Sequence, residues 1–131
     1  MPKSLRDLLL DVSRALPAQN TNANSTAIDL KQVLPDSLPE HFEFQISVPA
    51  TTTATGQTIT ITIQDSADNS TFATVEQLEP LLLTGASNVT ALTTRNFRLP
   101  SDVNRYVRVN IAMSATTGDQ TAITAGIRLV F

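Results

Sequence analysis

A stretch of strict two-residue alternation, RYVRVNIAM at residues 105–113, constrains the fold of this chain more than any other segment. Val107, Val109 and Ile111 occupy every second position, with polar or small side chains between them. Successive side chains of a β-strand point to opposite faces, so this pattern predicts a strand with one buried face. Branching at Cβ favours a strand further. We therefore predict a central strand of a β-sandwich, with the other strong strands as its partners.

Three further segments alternate in the same way. The clearest is TITITIQ at residues 58–64, in which the isoleucines are predicted to face inward and the threonines outward. Residues 42–48 and 123–131 repeat the pattern. Weaker strand candidates complete the set: residues 27–30, 72–75, 81–83 and 89–93.

The spacing of these segments predicts how they are connected. About eight strands, separated by turn signals and without helical repeats between them, are typical of a sandwich or barrel. The wide connections at residues 31–41 and 76–89 favour a Greek-key or jelly-roll path over a simple meander. A glycine-containing turn at residues 116–119 predicts a hairpin between the last two long segments. The predicted fold class is all-β, a jelly-roll-like β-sandwich of about eight strands with a short N-terminal helix or arm.

The N-terminal region is the one helical candidate. Residues 4–16 begin with a serine that could cap a helix and are followed by Pro17, which ends helices. Apolar side chains at helical spacing would form one face: Leu5, Leu8, Leu9, Val12 and Leu16. This face could pack on the chain's own sandwich or on a neighbouring subunit, and an extended arm is the remaining alternative.

The residues that follow the helix candidate, AQNTNANST at 18–26, are small and polar and are typical of a loop or tether. We therefore divide the chain into an N-terminal arm, residues 1–25, and a β-sandwich domain, residues 26–131. If the arm docks on a neighbouring subunit, removal of residues 1–16 should weaken that binding and leave the sandwich folded.

The size and charge of the chain exclude several classes of function. A length of 131 residues fits one domain with its own core. The net charge of −3 argues against nucleic-acid binding, because no excess of lysine and arginine is present to neutralise phosphates. The chain has no cysteine and therefore no disulfide. Its apolar runs are too short for a signal peptide or for a membrane span of roughly 20 residues. We therefore expect a protein that is made in a cytoplasm and has no membrane partner.

No group of residues predicts catalysis. His41 is the only histidine, and the sequence groups no nucleophile or metal ligands around it. Glu76 and Glu79 are close in sequence, but a solvated loop explains them better than an acid–base pair. The DSADNS segment at residues 65–70 offers oxygen atoms to a Ca²⁺ ion, but its spacing is not that of an EF-hand, and a turn held by Asx hydrogen bonds is the simpler interpretation. We predict no enzymatic activity, no metal and no cofactor.

Four arginines lie on or beside predicted strands within a short span of sequence: Arg95, Arg98, Arg105 and Arg108. They can be ordinary solvent-facing or edge residues, where charge discourages aberrant strand pairing, or they can form bidentate pairs with carboxylates of a partner protein. The outward threonines Thr58, Thr60 and Thr62 form an uncharged surface that costs little to desolvate, although an exposed strand has the same composition. The candidate partner-contact residues are these four arginines and the N-terminal apolar face: Leu5, Leu8, Leu9 and Val12.

The order of several segments resembles the Bbp16-type capsid cement proteins of tailed phages. The segments that carry the resemblance follow one another along most of the chain: STAIDL at 25–30, TITITIQDS at 58–66, LP at 99–100, RYVRV at 105–109 and TAGI at 124–127. The resemblance implies a small jelly-roll-like protein that sits on the outside of a phage head and clamps neighbouring major capsid protein subunits. It implies the major capsid protein and further copies of the chain, in a homodimer or homotrimer, as partners. The implied location is the exterior of the virion capsid.

A second, local resemblance is to discoidin-type, galactose-binding-like sandwiches. It is carried by RYVRV at 105–109 and SADNSTF at 66–72, and it implies a glycan-binding sandwich used for adhesion. Tyr106 is the only tyrosine and tryptophan is absent, so the aromatic platform on which sugars usually stack is missing. We therefore expect a capsid cement protein, with a glycan-binding adhesin as the main alternative. A head-completion or tail-tube component, which would occur in few copies, is a further alternative.

Overall fold

The fold is that of a computed structural model, which describes residues 11–30, 43–51, 55–85, 93–100, 102–114 and 121–130. These residues form ten strands: β1 (Asp11–Ala15), β2 (Asn22–Asn24), β3 (Ile28–Asp29), β4 (Glu43–Val48), β5 (Thr58–Ser66), β6 (Ala73–Thr74), β7 (Leu81–Thr84), β8 (Thr93–Phe97), β9 (Tyr106–Met113) and β10 (Thr124–Val130). No helix within the described ranges has the length and hydropathy needed to cross a membrane.

The strands form two antiparallel sheets. One sheet has the order β1–β10–β4–β8. The other has β9 and β5 at its centre, with β2 and β3 both paired to the free side of β9, and β6 and β7 both paired to the free side of β5. We refer to them as the β10–β4 sheet and the β9–β5 sheet.

The strand order is that of a jelly roll. Because β2 and β3 lie end to end along one edge, and β6 and β7 along another, the ten strands occupy eight positions. In chain order the first position pairs with the eighth, the second with the seventh, the third with the sixth and the fourth with the fifth. This nesting of antiparallel pairs across two sheets confirms the predicted jelly-roll-like sandwich.

The core lies between the two sheets and follows the predicted alternation. In β4 and β9, and in β5 from Thr58 to Gln64, every second side chain is buried and the side chains between them are half-buried. The largest fully buried side chains come from both sheets and from the residue after β1: Phe44, Leu16, Ile46, Ile59, Ile61, Ile111 and Ile127. Burial of this much apolar surface is the main stabilising contribution.

The central strand is where the sequence predicts it. β9 pairs with β5 over eight residues on one side and with β2 and β3 on the other. Val107, Val109 and Ile111 are completely buried. The predictions for residues 27–30, 42–48, 58–64, 72–75, 81–83 and 123–131 correspond to β3, β4, β5, β6, β7 and β10.

The helix predicted at residues 4–16 is wrong for residues 11–15, which form β1, while residues 4–10 lie outside the described part of the chain. β1 pairs with β10 over five residues, from Asp11 opposite Arg128 to Ala15 opposite Thr124. Pairing with β10 satisfies backbone groups along its length, and this tertiary contact overrides a weak local helix propensity. Leu16, which follows β1, is buried at 1% exposure.

The polar tether predicted at residues 18–26 is also shorter than expected. Residues 22–24 form β2, with Ala23 buried and its two asparagine neighbours exposed. Asn24 lies opposite Asn110, and Ile28 lies opposite Val107. The segment between Asn24 and Ile28 is therefore one residue longer than the segment of β9 that it faces. This is a β-bulge. Residues 22–29 therefore run along the edge of the β9–β5 sheet.

The hairpin predicted around residues 116–119 is wrong, because β9 and β10 do not pair with each other. β9 and β10 belong to different sheets, so the connection between them crosses the sandwich. Glycine and polar residues mark the position of a turn, but they do not specify which sheet the next strand joins. Residues 115–120 themselves, and most of the candidate strand at 89–93, lie outside the described residues.

Candidate partner-binding face

The β9–β5 sheet has an outer face built almost entirely from uncharged polar side chains. The isoleucines of β5 are buried, so the threonines between them point outward. The neighbouring strands add outward side chains in register with these threonines. We name this surface the threonine face and define it by the following residues: Asn22, Asn24, Thr58, Thr60, Thr62, Gln64, Leu82, Thr84, Arg108, Asn110 and Ala112.

One large apolar side chain projects from the threonine face. Leu82 is 59% exposed, more than any other large hydrophobic side chain in the described part of the chain. It lies opposite Thr60, which lies opposite Ala112 on the next strand. A single exposed leucine is ordinary by itself, but here it gives an otherwise polar surface one apolar contact point.

Asparagine side chains fix the edge of the same face. The side-chain amide of Asn110 donates to Oδ1 of Asn24 at 2.7 Å and, at a longer 3.5 Å, to Oδ1 of Asn22. These bonds link β9 to β2 through side chains as well as through the backbone. The polar groups at this edge are therefore held in place before any partner arrives.

Arg108 is held on the threonine face by two contacts. Its guanidinium lies over the ring of Phe72, 3.9 Å from Cζ to the ring centroid. Its Nε donates to Oε1 of Gln64, which is opposite it in register, at 2.9 Å. Stacking on an aromatic ring and one hydrogen bond restrict the planar guanidinium to one orientation. Arg108 makes no salt bridge with an acid in the described ranges.

Arg105 has a different role, because it forms an ion pair within the chain. Its Nε and Nη2 donate to the two carboxylate oxygens of Asp29 at 2.8 Å each, and the hydrogen bond to this carboxylate raises the pKa of Arg105. The bidentate pair attaches β3 to the start of β9. The Arg105 guanidinium also lies over the ring of Tyr106, 4.9 Å from its centroid, so one face of the only tyrosine ring in the sequence is already covered.

The structure does not bring the four candidate arginines together. Arg95 lies on β8, at the edge of the other sheet, with its guanidinium 4.9 Å from the ring centroid of Phe97. Arg98 follows β8 and is exposed. The four arginines therefore divide between the two sheets.

Of the predicted N-terminal contact residues, the structure describes only Val12. Val12 is partly buried and packs against the core, which leaves little of it for a partner. Leu5, Leu8 and Leu9 lie outside the described residues.

The outer face of the β10–β4 sheet carries polar side chains that bond to one another. Asn96 donates to Oε2 of Glu43 at 2.7 Å and accepts from Nε2 of Gln45 at 3.0 Å. The hydroxyls of Ser47 and Thr94 are 3.2 Å apart. These groups therefore satisfy part of each other's hydrogen-bonding capacity within the chain.

Sequence reasoning missed most of the candidate site. Of the threonine face it named only Thr58, Thr60, Thr62 and Arg108, and the residues that it missed include three that the site depends on: Gln64, Phe72 and Leu82. Each depends on strand register, which places Gln64 opposite Arg108 and Leu82 opposite Thr60. Only Phe72 had a signal in the sequence, because the turn predicted at residues 65–70 places it in a hairpin beside the end of β5.

The turn between β5 and β6 is held by Asp68, as the Asx interpretation predicts. Oδ1 of Asp68 accepts hydrogen bonds from the Thr71 amide at 3.0 Å, the Ser66 hydroxyl at 2.8 Å and the Ser70 amide at 2.9 Å. The hydrogen bond from Thr71, followed by those from Ser66 and Ser70, lowers the pKa of Asp68 to about 2. Asn69 has a φ of 59°, which asparagine tolerates in turns.

The lowered pKa of Asp68 predicts a loss of stability in acid. In the unfolded chain this carboxyl has a pKa of ~3.9. The ionised Asp68 therefore contributes its full stabilisation above that pH and loses it as the pH falls towards the folded pKa of about 2. Thermal unfolding of the wild type and of Asp68→Asn should show the wild type melting higher at pH 5, with the difference shrinking by pH 2. A difference that stays constant over this range would contradict the lowered pKa.

The other candidate chemical groups do not converge on a site. Glu76 and Glu79 are exposed, and His41 lies outside the described residues. Within the ranges that the structure describes, no three histidine or acidic side chains come close enough to hold a metal ion. Asp65 uses its Oδ2 to accept from the backbone and side-chain nitrogens of Asn104, at 2.8 and 3.2 Å.

Comparison with known proteins identifies the family. A search of curated proteins found no match. The family model of Bbp16 matches residues 12–127, a range that starts within β1 and ends within β10 and so spans the whole jelly roll. The chain belongs to the Bbp16 family.

Proposed function

We propose that this protein is a capsid cement protein, which binds the outside of a phage head and stabilises contacts between major capsid protein subunits. The observation that carries the proposal is the extent of the Bbp16 family match, residues 12–127. Because the match spans both sheets, membership of the family concerns the fold as a whole. The cement role is inferred from the resemblance of the sequence segments to Bbp16-type cement proteins. In this proposal the partners are the major capsid protein and further copies of the chain.

The threonine face suits such a contact on physical grounds. Among its eleven defined residues only Arg108 is charged, so a partner that covers it desolvates few costly groups. Uncharged polar groups can bond to a partner directly or through water. Each contact can be weak, since an oligomer that engages several capsid subunits gains strength through effective concentration. No catalytic step, cofactor, nucleic acid or membrane is needed for this role.

Binding to capsids tests the proposal. Purified protein would be mixed with capsids of the phage that encodes it, prepared without this protein, and sedimented. The expected result is co-sedimentation that saturates at a fixed ratio to the major capsid protein. Absence of binding to intact capsids would overturn the proposal, and binding of the same protein to members of a glycan array would support an adhesin.

A further inference from the structure

We propose that Arg108 is a preformed binding site for a carboxylate of the capsid partner and anchors the threonine face through an Asp or Glu side chain. This inference rests on the proposed function, because it names the chemistry by which the cement protein recognises its capsid. Of the four candidate arginines, it assigns the contact with the partner to Arg108 alone.

The contacts of Arg108 prepare it for this role. The Phe72 ring, 3.9 Å away, supports one side of the guanidinium, and Gln64 accepts the Nε hydrogen at 2.9 Å. A flexible arginine loses side-chain conformational entropy when it is fixed in one orientation. Here much of that loss has occurred on folding, so binding to a partner costs less.

The remaining donors of Arg108 match a carboxylate. Arginine has five N–H donors, and the one on Nε is used by Gln64. The four on the two terminal nitrogens lie in one plane, which is the arrangement that forms bidentate pairs with carboxylates. Arg105 shows this geometry within the chain, with two 2.8 Å bonds to Asp29.

The charge of Arg108 has no acidic partner within the described part of the chain. Two aspartates lie near it by register, but both are engaged: Asp29 binds Arg105, and Asp65 accepts from Asn104. The other members of the threonine face are uncharged. Arg108 is therefore the one charged member of the threonine face, and its positive charge favours a partner that presents a carboxylate.

The threonine face thus has two separate contact points, the apolar side chain of Leu82 and the cationic side chain of Arg108. Leu82 is in register with Thr60, and Arg108 with Gln64, four residues further along β5. At about 3.3 Å per residue, the two points are roughly 13 Å apart along the strand. Arginine and aromatic side chains surrounded by weaker polar contacts are typical of binding hot spots.

Capsid binding by matched arginine variants tests the inference. Arg108→Gln and Arg98→Gln each remove one positive charge, but only the first removes the held guanidinium. We expect Arg108→Gln to raise the apparent Kd for capsids by about tenfold or more, and Arg98→Gln by less than about twofold. Arg108→Lys keeps the charge without the planar donors and should be intermediate, provided that all variants melt like the wild type. Equal effects of the two glutamine variants would overturn the inference while the capsid-binding proposal stands.

A second measurement is independent of the capsid. The arginine Nε–Hε signals of the isotope-labelled wild type would be followed by NMR during titration with a tetraglutamate peptide. A saturable shift confined to Arg108 supports a carboxylate site, and the absence of such a shift overturns it even if capsids bind. If Arg108→Gln instead converts an oligomer into a monomer, the carboxylate belongs to a second copy, which overturns the assignment to the capsid.

Discussion

Removal of residues 1–16 is expected to lower the melting temperature of the sandwich by roughly 10 °C or more. The truncation deletes β1, which pairs with β10 over five residues, and it deletes Leu16, which is 1% exposed. Loss of a buried leucine side chain alone costs about 2–5 kcal/mol, out of a total stability of about 5–15 kcal/mol for a domain. Circular dichroism during heating measures the change.

A protein that begins at residue 11 is the matched control, because it keeps every described strand. It should melt cooperatively, and its capsid binding tests separately whether Leu5, Leu8 and Leu9 contact a neighbouring subunit. If the protein that begins at residue 17 melts within about 3 °C of full length, β1 contributes little and the arm interpretation of residues 1–16 is restored.

The substitution Ser25→Ala is expected to destabilise the protein by about 1–3 kcal/mol. Ser25 is 6% exposed, and its hydroxyl accepts the backbone N–H of Val109 at 3.0 Å and donates to the carbonyl of Thr26 at 3.2 Å. At the bulge between β2 and β3 this hydroxyl takes the place of a backbone acceptor. Alanine would leave a buried N–H without a partner, which costs more than the loss of an exposed bond.

Thr21→Ala provides the comparison for Ser25→Ala. The Thr21 hydroxyl donates to the carbonyl of Ala18 at 2.6 Å, but this contact is exposed, so water can replace it. The expected destabilisation is below about 1 kcal/mol. Urea unfolding of both variants and hydrogen exchange at the Val109 amide would measure the difference. Equal destabilisation by the two substitutions, with unchanged exchange at Val109, would contradict the role of Ser25.

Long alternating strands could be predicted from sequence because their pattern is local. Each of β5 and β9 buries one face, and a slip of one residue would expose a whole row of isoleucines or valines. β1 could not be predicted in this way. Val12 and Leu16 fit both a helical face and a strand face, and the choice depends on pairing with β10, more than a hundred residues away in sequence.

The candidate site was only partly predictable for a similar reason. Sequence showed which residue types could bind a carboxylate, but Arg105 and Arg108 are indistinguishable as residues. Their difference arises from neighbours brought by the fold: Asp29 neutralises the first, whereas Gln64 and Phe72 orient the second. Strand register, which the sequence does not display, decides which arginine is available.

Arg105 and Arg108 contribute in different ways to the proposed contact. Arg105 stabilises the edge segment formed by β2 and β3, and Arg108 faces outward beside it. Substitution of Arg105 should therefore lower the stability of the fold, whereas substitution of Arg108 should lower the affinity for the partner. A partner-binding surface that is built on two central strands of a jelly roll is held more rigidly than one built on loops.

The copy number of this protein in purified virus particles from its source tests the central claim most directly. Quantitative mass spectrometry would compare it with the major capsid protein. A capsid cement protein should be present on the order of hundreds of copies, in a fixed ratio to the capsid subunits, as the repeated symmetry of a head requires. A handful of copies, or none, would contradict a role as a lattice-bound cement protein.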